Sequence, residues 1–183
     1  LIKNRRVLMD IQERKLNMSF NYLVILAMLI ALGVAGRLLP HPPNFTPLIA
    51  IAILSAYLFA NIYISLIIIL VSMLLSDLFI GFYNHVLFVY GALFLISYFI
   101  YKIKIKIKFR NLFFFCFGSS LVFFLVSNFG VWFLGALYEK NFNGLINCYI
   151  LAIPFFKNTF LPTIIFAYSA LAFSKFPVLL KKT

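Results

Sequence analysis

The chain has 183 residues, of which 64% are hydrophobic and only 11% are charged, and its mean hydropathy is +1.07. Soluble domains carry about a quarter charged residues, so a chain this apolar cannot cover a water-facing surface. The net charge of +12 would suggest nucleic acid in a soluble protein. Here the cations stand at the ends of apolar segments, where they set topology and contact lipid headgroups. Composition therefore predicts a polytopic membrane protein whose partner is the lipid bilayer and not nucleic acid.

The N-terminal residues differ in character from the rest of the chain. Residues 1–17 are polar, and Met18 directly precedes the first apolar run. We predict a polar N-terminal extension over residues 1–17 and a single transmembrane domain over residues 18–183, with the natural start left open between Leu1, Met9 and Met18. No small-residue cleavage site follows the first apolar run, which favours a retained helix over a cleaved signal peptide.

Apolar segments predict the membrane-spanning helices. In chain order these are Phe20–Ala35, Leu48–Ala60, Ile62–Leu75, Val86–Tyr101, Leu112–Leu137 and Phe160–Phe173. Residues 48–75 can also be interpreted as one overlong tilted helix, whereas a turn at Asn61 would divide them into two short ones. Cys148–Phe156 is apolar but contains Pro154 and is followed by Lys157, so its insertion in the membrane is left open.

The distribution of basic residues decides between one helix and two over residues 48–75. With six spans and both termini in the cytoplasm, all but three of the 16 Lys and Arg residues fall on the cytoplasmic side, the exceptions being Arg37, Lys140 and Lys157. Merging residues 48–75 would place the basic connector 102–110 outside, against the positive-inside rule. The sequence therefore predicts an all-α protein of about six transmembrane helices, with both termini cytoplasmic.

One polar segment stands between two apolar runs. Residues 37–47 (RLLPHPPNFTP) hold four of the seven prolines together with an Arg, a His and an Asn. Proline lacks the N–H that continues a helix and pushes its preceding residue toward extended geometry. We therefore predict a rigid, non-helical segment with side chains that can bind. The topology places this segment outside, together with Asp77, His85, Glu139, Lys140, Cys148, Lys157 and Asn158.

Two pairs of these outer polar residues have two interpretations each. Arg37 and Asp77 either bind an anionic or zwitterionic ligand through the Arg fork or form a structural ion pair between helix ends. His41 and His85 have no third ligand at a diagnostic spacing, so interfacial hydrogen bonding is favoured over a metal or haem. Ionisable groups at membrane depth usually have a partner or a function.

The predicted fifth helix carries Asn128 and Trp132 one turn apart on the same face. The Asn either lines a cavity or hydrogen-bonds a neighbouring helix, and the Trp is either an interfacial anchor or a stacking platform. Cys148 is interpreted as a buried thiol in preference to an axial ligand, and a disulfide with the distant Cys116 is not expected. With no nucleophile–base pair or phosphate loop, the sequence predicts no enzyme, no metal and no cofactor.

Four motifs between Met18 and about Phe173 carry a resemblance: RLLPHPPNFTP, SDLFIGFYNH, SNFGVWFLGALY and GLINCYILAIPFFKNT. Together they resemble an uncharacterised family of small bacterial inner-membrane proteins. That family is distantly similar to the substrate-binding S components of energy-coupling-factor vitamin transporters. The resemblance implies a six-helix protein that captures a vitamin or precursor from outside, driven by an ATPase module or acting alone.

The motifs and the outer polar residues together define the candidate ligand-binding set. Its members are Arg37, His41, Asn44, Asp77, His85, Asn128, Trp132, Cys148 and Asn158. Relatives often carry a Gly-Asp pair after Asn158-Thr159, and this chain does not. Two functions are left open: capture of a vitamin-like molecule in an outward-facing pocket, and a non-transporting subunit or assembly factor whose outer loops dock a protein.

Overall fold

The structure, a computed structural model, describes residues 22–103 and 107–180, with side chains in the last helix described up to residue 172. These residues form six α-helices and no strand, which confirms the all-α prediction. The helices are α1 (Tyr22–Leu38), α2 (Leu48–Phe59), α3 (Ile62–Ile80), α4 (Val86–Ile103), α5 (Phe109–Leu134) and α6 (Phe142–Leu180). The predicted extension over residues 1–17 lies outside the described residues.

Four helices, α3 to α6, are long and apolar enough to cross a membrane. The 12 residues of α2 give a length of about 18 Å, short of the ~30 Å hydrocarbon core of a bilayer. Nevertheless α2 is the central helix, because it packs against α3, α4, α5 and α6. Every residue from Leu48 to Ala56 is buried, so this helix is apolar all round because other helices enclose it.

A turn divides α2 from α3, as the charge distribution predicts. Ala60 ends α2 in the left-handed backbone region, with φ 46°. The Asn61 side chain then accepts hydrogen bonds from the backbone N–H groups of Tyr63 (2.9 Å) and Ile64 (3.4 Å) at the start of α3. Asn is among the best N-cap residues because its side chain satisfies N–H groups that lack a partner within the helix.

The structure corrects two predicted helix ends. Arg37 belongs to α1, which continues to Leu38, so the non-helical segment is shorter than its composition indicated. Asp77 lies inside α3, which continues to Ile80. A carboxylate inside an apolar helix is expensive unless it is paired, and this one is paired with Arg37.

The last predicted segments are also corrected. Cys148–Phe156 and Phe160–Phe173 are not separate, because both belong to the single 39-residue helix α6. Pro154 and Pro162 lie within it. Membrane helices tolerate internal proline where neighbouring helices, side chains or water satisfy the backbone groups that it frees.

Glycines on α1 allow it to approach α2 and α3 closely. A Cβ at Gly33 would lie 2.8 Å from the Cβ of Ser72 on α3, and a Cβ at Gly36 would overlap the ring of Pro47. Pro47 is fully buried and immediately precedes α2. Small residues at such crossings let helix backbones come together. The contact places the end of α1 beside the start of α2, and so fixes where Arg37 lies.

The connections alternate between two ends of the bundle. The end at which α1, α3 and α5 finish and α2, α4 and α6 begin is called the Arg37 end. The opposite end carries Asn61 and the start of α5. Of the basic connector 102–110, residues 104–106 lie outside the described part of the chain.

Candidate ligand-binding site

A cavity of about 420 Å³ lies at the Arg37 end of the bundle and is called the polar cavity. All six helices contribute to its wall, as do the loops before α2 and α4. Its polar lining residues are Arg37, His41, Asn44, Thr46, Tyr83, His85, Ser127, Asn128 and Thr159. The apolar ones are Leu48, Ile49, Met73, Ile80, Val89, Phe123 and Val131. A few polar groups on apolar walls, at this volume, are typical of small-molecule sites.

The structure brings five of the nine predicted residues together in this lining, and four lie elsewhere. The five are Arg37, His41, Asn44, His85 and Asn128. Asp77 lies behind Arg37, while Trp132, Cys148 and Asn158 are absent from the lining. The polar lining residues outside the predicted set are Thr46, Tyr83, Ser127 and Thr159.

Arg37 and Asp77 form an ion pair beneath the cavity. Arg37 Nη2 lies 2.5 Å from Asp77 Oδ1, and the carboxylate is completely buried. Arg37 Nη1 also donates to Ser76 Oγ (2.6 Å) and to the Met73 carbonyl (3.2 Å). The Tyr90 hydroxyl donates to Asp77 Oδ2 at 2.7 Å. Arg37 and Asp77 therefore form the ion pair that one of the two hypotheses describes. Arg37 also lines the cavity.

The loop between α3 and α4 contributes Tyr83 and His85, whose ring centroids lie 4.7 Å apart. Burial raises the pKa of the Tyr83 phenol, and the opposing attraction of the Arg37 guanidinium does not cancel this rise. Burial lowers the pKa of His85 below 6.5. Both rings are therefore uncharged near neutral pH. Tyr83 was missed because a Tyr in a polar turn is as common at a membrane interface as in a site.

The loop before α2 is held by its own hydrogen bonds. The Phe45 N–H donates to the Pro42 carbonyl at 3.0 Å, and Asn44 takes the left-handed conformation with φ 65°. His41 Nδ1–H donates to the same Pro42 carbonyl at 2.8 Å. The sequence motif thus folds into a tight turn that presents His41 and Asn44 at the exposed rim of the cavity.

The wall formed by α5 and α6 presents oxygen atoms. Ser127 Oγ–H donates to the Phe123 carbonyl at 2.7 Å, and Thr159 Oγ1–H donates to the Phe155 carbonyl at 3.1 Å. Asn128 Nδ2–H donates to the carbonyl of residue 124 at 2.8 Å. Each side chain thereby uses a hydrogen on its own helix and keeps an oxygen that can accept another bond. These three residues are called the acceptor wall.

Three predicted residues lie outside the lining of the cavity. Cys148 Sγ–H donates to the backbone carbonyl of Asn128 at 3.5 Å, and this thiol is free and buried. Trp132 Nε1–H donates to the Glu139 carbonyl at 2.9 Å, which ties the end of α5 to the following loop. Asn158 is half-buried on α6 beside Thr159.

Among the described residues no three His, Cys, Asp or Glu side chains lie close enough to hold a metal ion.

The fold and the cavity define a class: a helical bundle with four helices long and apolar enough to cross a membrane, and a small-molecule-sized cavity at one end. The family of unknown function DUF6580 matches residues 17–183 of the chain. This match covers most of the sequence, so the chain belongs to that family. Comparison with curated proteins and comparison with solved structures found no match.

Proposed function

We propose that this protein captures a vitamin-sized molecule from the extracytoplasmic side of a bacterial inner membrane for uptake, in the manner of a transporter substrate-binding component. The observation that carries this proposal is the polar cavity, whose volume of about 420 Å³ falls in the range of small-molecule sites. The Arg37 end is also the end that the positive-inside rule assigns to the outside.

The origin of the lining residues links ligand capture to uptake. Because all six helices supply lining residues, a bound molecule would contact every helix of the bundle. Ligand contacts that differ between two arrangements of a bundle shift the balance between them. An energising ATPase module is the partner that such a component would use, unless it acts alone.

The alternative, a non-transporting subunit or assembly factor, would use the outer loops to dock a protein. Stable protein interfaces bury about 800 Å² on each partner. The polar side chains of the two loops before α2 and α4 line a concave cavity instead. This arrangement favours a small molecule over a docked protein.

Binding by purified protein in lipid nanodiscs tests the proposal. We expect at least one water-soluble vitamin or precursor to be retained in equilibrium dialysis, and Asn128→Leu to lower that retention about tenfold or more, since a polar side chain of the cavity lining would be lost. Asn158→Leu is the matched control, because Asn158 is a half-buried amide on α6 outside the cavity lining. Equal losses in the two variants, or no retained compound, would overturn the proposal.

A further inference from the structure

The formal charges around the polar cavity cancel. Arg37 is the only Lys, Arg, Asp or Glu among the described residues that line it. Its guanidinium lies 2.5 Å from the carboxylate of Asp77, which is completely buried behind it. A ligand in the cavity therefore meets a paired charge and not a free one.

The hydrogen-bonding capacity of Arg37 is largely used inside the protein. Nη1 donates to both Ser76 Oγ and the Met73 carbonyl, and Nη2 faces Asp77. A carboxylate or phosphate is recognised best by two parallel N–H donors of one guanidinium. These contacts use three of the five N–H groups of Arg37, and a ligand anion would have to compete with the buried Asp77 carboxylate for the same guanidinium.

The acceptor wall also disfavours an anion. Ser127, Asn128 and Thr159 each donate to a carbonyl one turn earlier on their own helix, so their side-chain oxygens remain as acceptors. At Ser127 and Thr159 a ligand anion would face oxygen lone pairs, and only the second N–H of Asn128 could donate to it. A ligand cation would find acceptors but no free carboxylate, and moving an unpaired charge out of water is costly.

The remaining polar groups include no Lys, Arg, Asp or Glu, and they can both donate and accept hydrogen bonds. Two of them, the Tyr83 hydroxyl and the His85 imidazole, lie side by side on the loop before α4, and the loop before α2 adds His41, Asn44 and Thr46. A ligand whose N–H or O–H groups donate to the acceptor wall can therefore also accept a hydrogen bond from Tyr83 or His85 on the loop before α4. Apolar side chains such as Ile49 and Phe123 supply the rest of the surface.

We propose that the ligand is a net-neutral molecule with N–H or O–H donors directed at Ser127, Asn128 and Thr159, as in an uncharged amide- or hydroxyl-bearing heterocycle. This assignment rests on the proposed capture function and names its substrate class. It also decides between the two hypotheses for Arg37. The guanidinium is then part of an ion pair that leaves the cavity without net charge, and it does not bind an anionic ligand.

Matched pairs of compounds that differ in charge test this assignment on the full chain in lipid nanodiscs. The probes are nicotinamide with nicotinate, pantothenol with pantothenate, and riboflavin with riboflavin 5′-phosphate, dialysed together near neutral pH and quantified by mass spectrometry. We expect the neutral member of at least one pair to be retained about tenfold or more over its charged partner. Equal retention of the two members in every pair, or preferential retention of the charged member, would overturn neutrality and leave capture standing. Retention of no compound would overturn both proposals.

A second measurement tests the acceptor wall. Ser127→Ala should lower retention of the neutral compound about tenfold, because a ligand donor would lose its acceptor. Ser120→Ala is the control, since Ser120 is buried on the same helix but does not line the cavity. Unchanged retention in Ser127→Ala would contradict the assigned orientation. Because both variants delete one hydroxyl from α5, a comparable loss in the control would contradict it as well.

Discussion

At the scale of single residues, Asp77 shows how a charge is kept inside an apolar bundle. It is completely buried, with Arg37 on one oxygen and the Tyr90 hydroxyl on the other. Removing one partner of a buried ion pair leaves an uncompensated charge in the protein. This destabilises the fold by more than the intact pair stabilises it. The pair therefore fixes the end of α1 against α3 more firmly than a surface ion pair could.

We expect Asp77→Asn to lower the free energy of unfolding by about 3–5 kcal/mol, because Arg37 would remain charged without its partner. The measurement is thermal or denaturant unfolding of nanodisc-embedded protein followed by circular dichroism. Glu139→Gln is the matched control, since this carboxylate is exposed and its loss should cost no more than about 0.5 kcal/mol. Equal stability of the two variants would contradict the importance of the buried pair.

His85 gives the stability a pH dependence. Burial lowers its pKa in the folded protein below the 6.5 of the unfolded chain, so folding favours the neutral ring. The stability contributed by this difference is complete above pH 6.5 and is lost as the pH falls from there toward the folded pKa. Melting temperatures between neutral and mildly acidic pH should thus fall less in His85→Gln than in the wild type. Asn84→Gln should keep the wild-type slope, and a shared slope in all three proteins would show that His85 makes no such contribution.

Part of the site could be predicted from the sequence. The shared location of Arg37, His41 and Asn44 was predictable, because polar residues amid prolines between two apolar runs must lie together at one end of the bundle. Ser127 and Thr159 were not, because Ser and Thr in apolar helices also serve packing. Ser55, for example, lies in the core and hydrogen-bonds another Ser at 2.7 Å. Which hydroxyl faces a cavity depends on helix rotation, and a sequence of nearly uniform hydropathy does not reveal that rotation.

At the scale of helices, the ends were harder to predict than their number. The break at Ala60 and Asn61 was predictable, because Asn favours N-cap positions and the basic residues required another crossing. The continuity of α6 was not, because Pro154 and Pro162 normally end helices in water. In α6 the buried Thr159 and Thr163 hydroxyls donate to carbonyls one turn earlier, which gives this proline-containing stretch additional internal hydrogen bonds.

The approach of α1 to α2 depends on one glycine. We expect Gly36→Ala to lower the free energy of unfolding by about 1–3 kcal/mol, because the new Cβ would overlap the rigid, buried ring of Pro47. The matched control is Gly118→Ala, a helical glycine with nothing within 4 Å of the added Cβ. This control should be neutral or stabilising by up to about 1 kcal/mol. The same unfolding assay compares them, and a neutral Gly36→Ala would show that α1 can shift at no cost.

At the scale of the whole molecule, the buried α2 explains how a chain of this length encloses a cavity. The 12-residue α2 packs against α3, α4, α5 and α6, so residues at its start lie close to several other helices. Leu48 and Ile49, at its start, are cavity-lining residues. The composition indicated the membrane class, but it did not reveal that one of the apolar segments would form the centre of the bundle.

The orientation of the bundle in the membrane decides whether the polar cavity faces the outside. The positive-inside rule places the Arg37 end outside, because the connector 102–110 carries five cations. We expect a membrane-impermeant maleimide, added to intact cells, to label Asn44→Cys and to leave Arg110→Cys unlabelled until the membrane is opened. Both positions are exposed in the protein, and the native thiols Cys116 and Cys148 are buried.

The chain without an introduced cysteine is the blank for this labelling, since buried thiols react slowly. Labelling of the cysteine at position 110 in intact cells, with protection at position 44, would reverse the orientation. The cavity would then open to the cytoplasm, and capture from outside would have to be abandoned. The binding measurements would remain valid in that case, because a nanodisc exposes both ends of the bundle, so the orientation and the ligand class are tested independently.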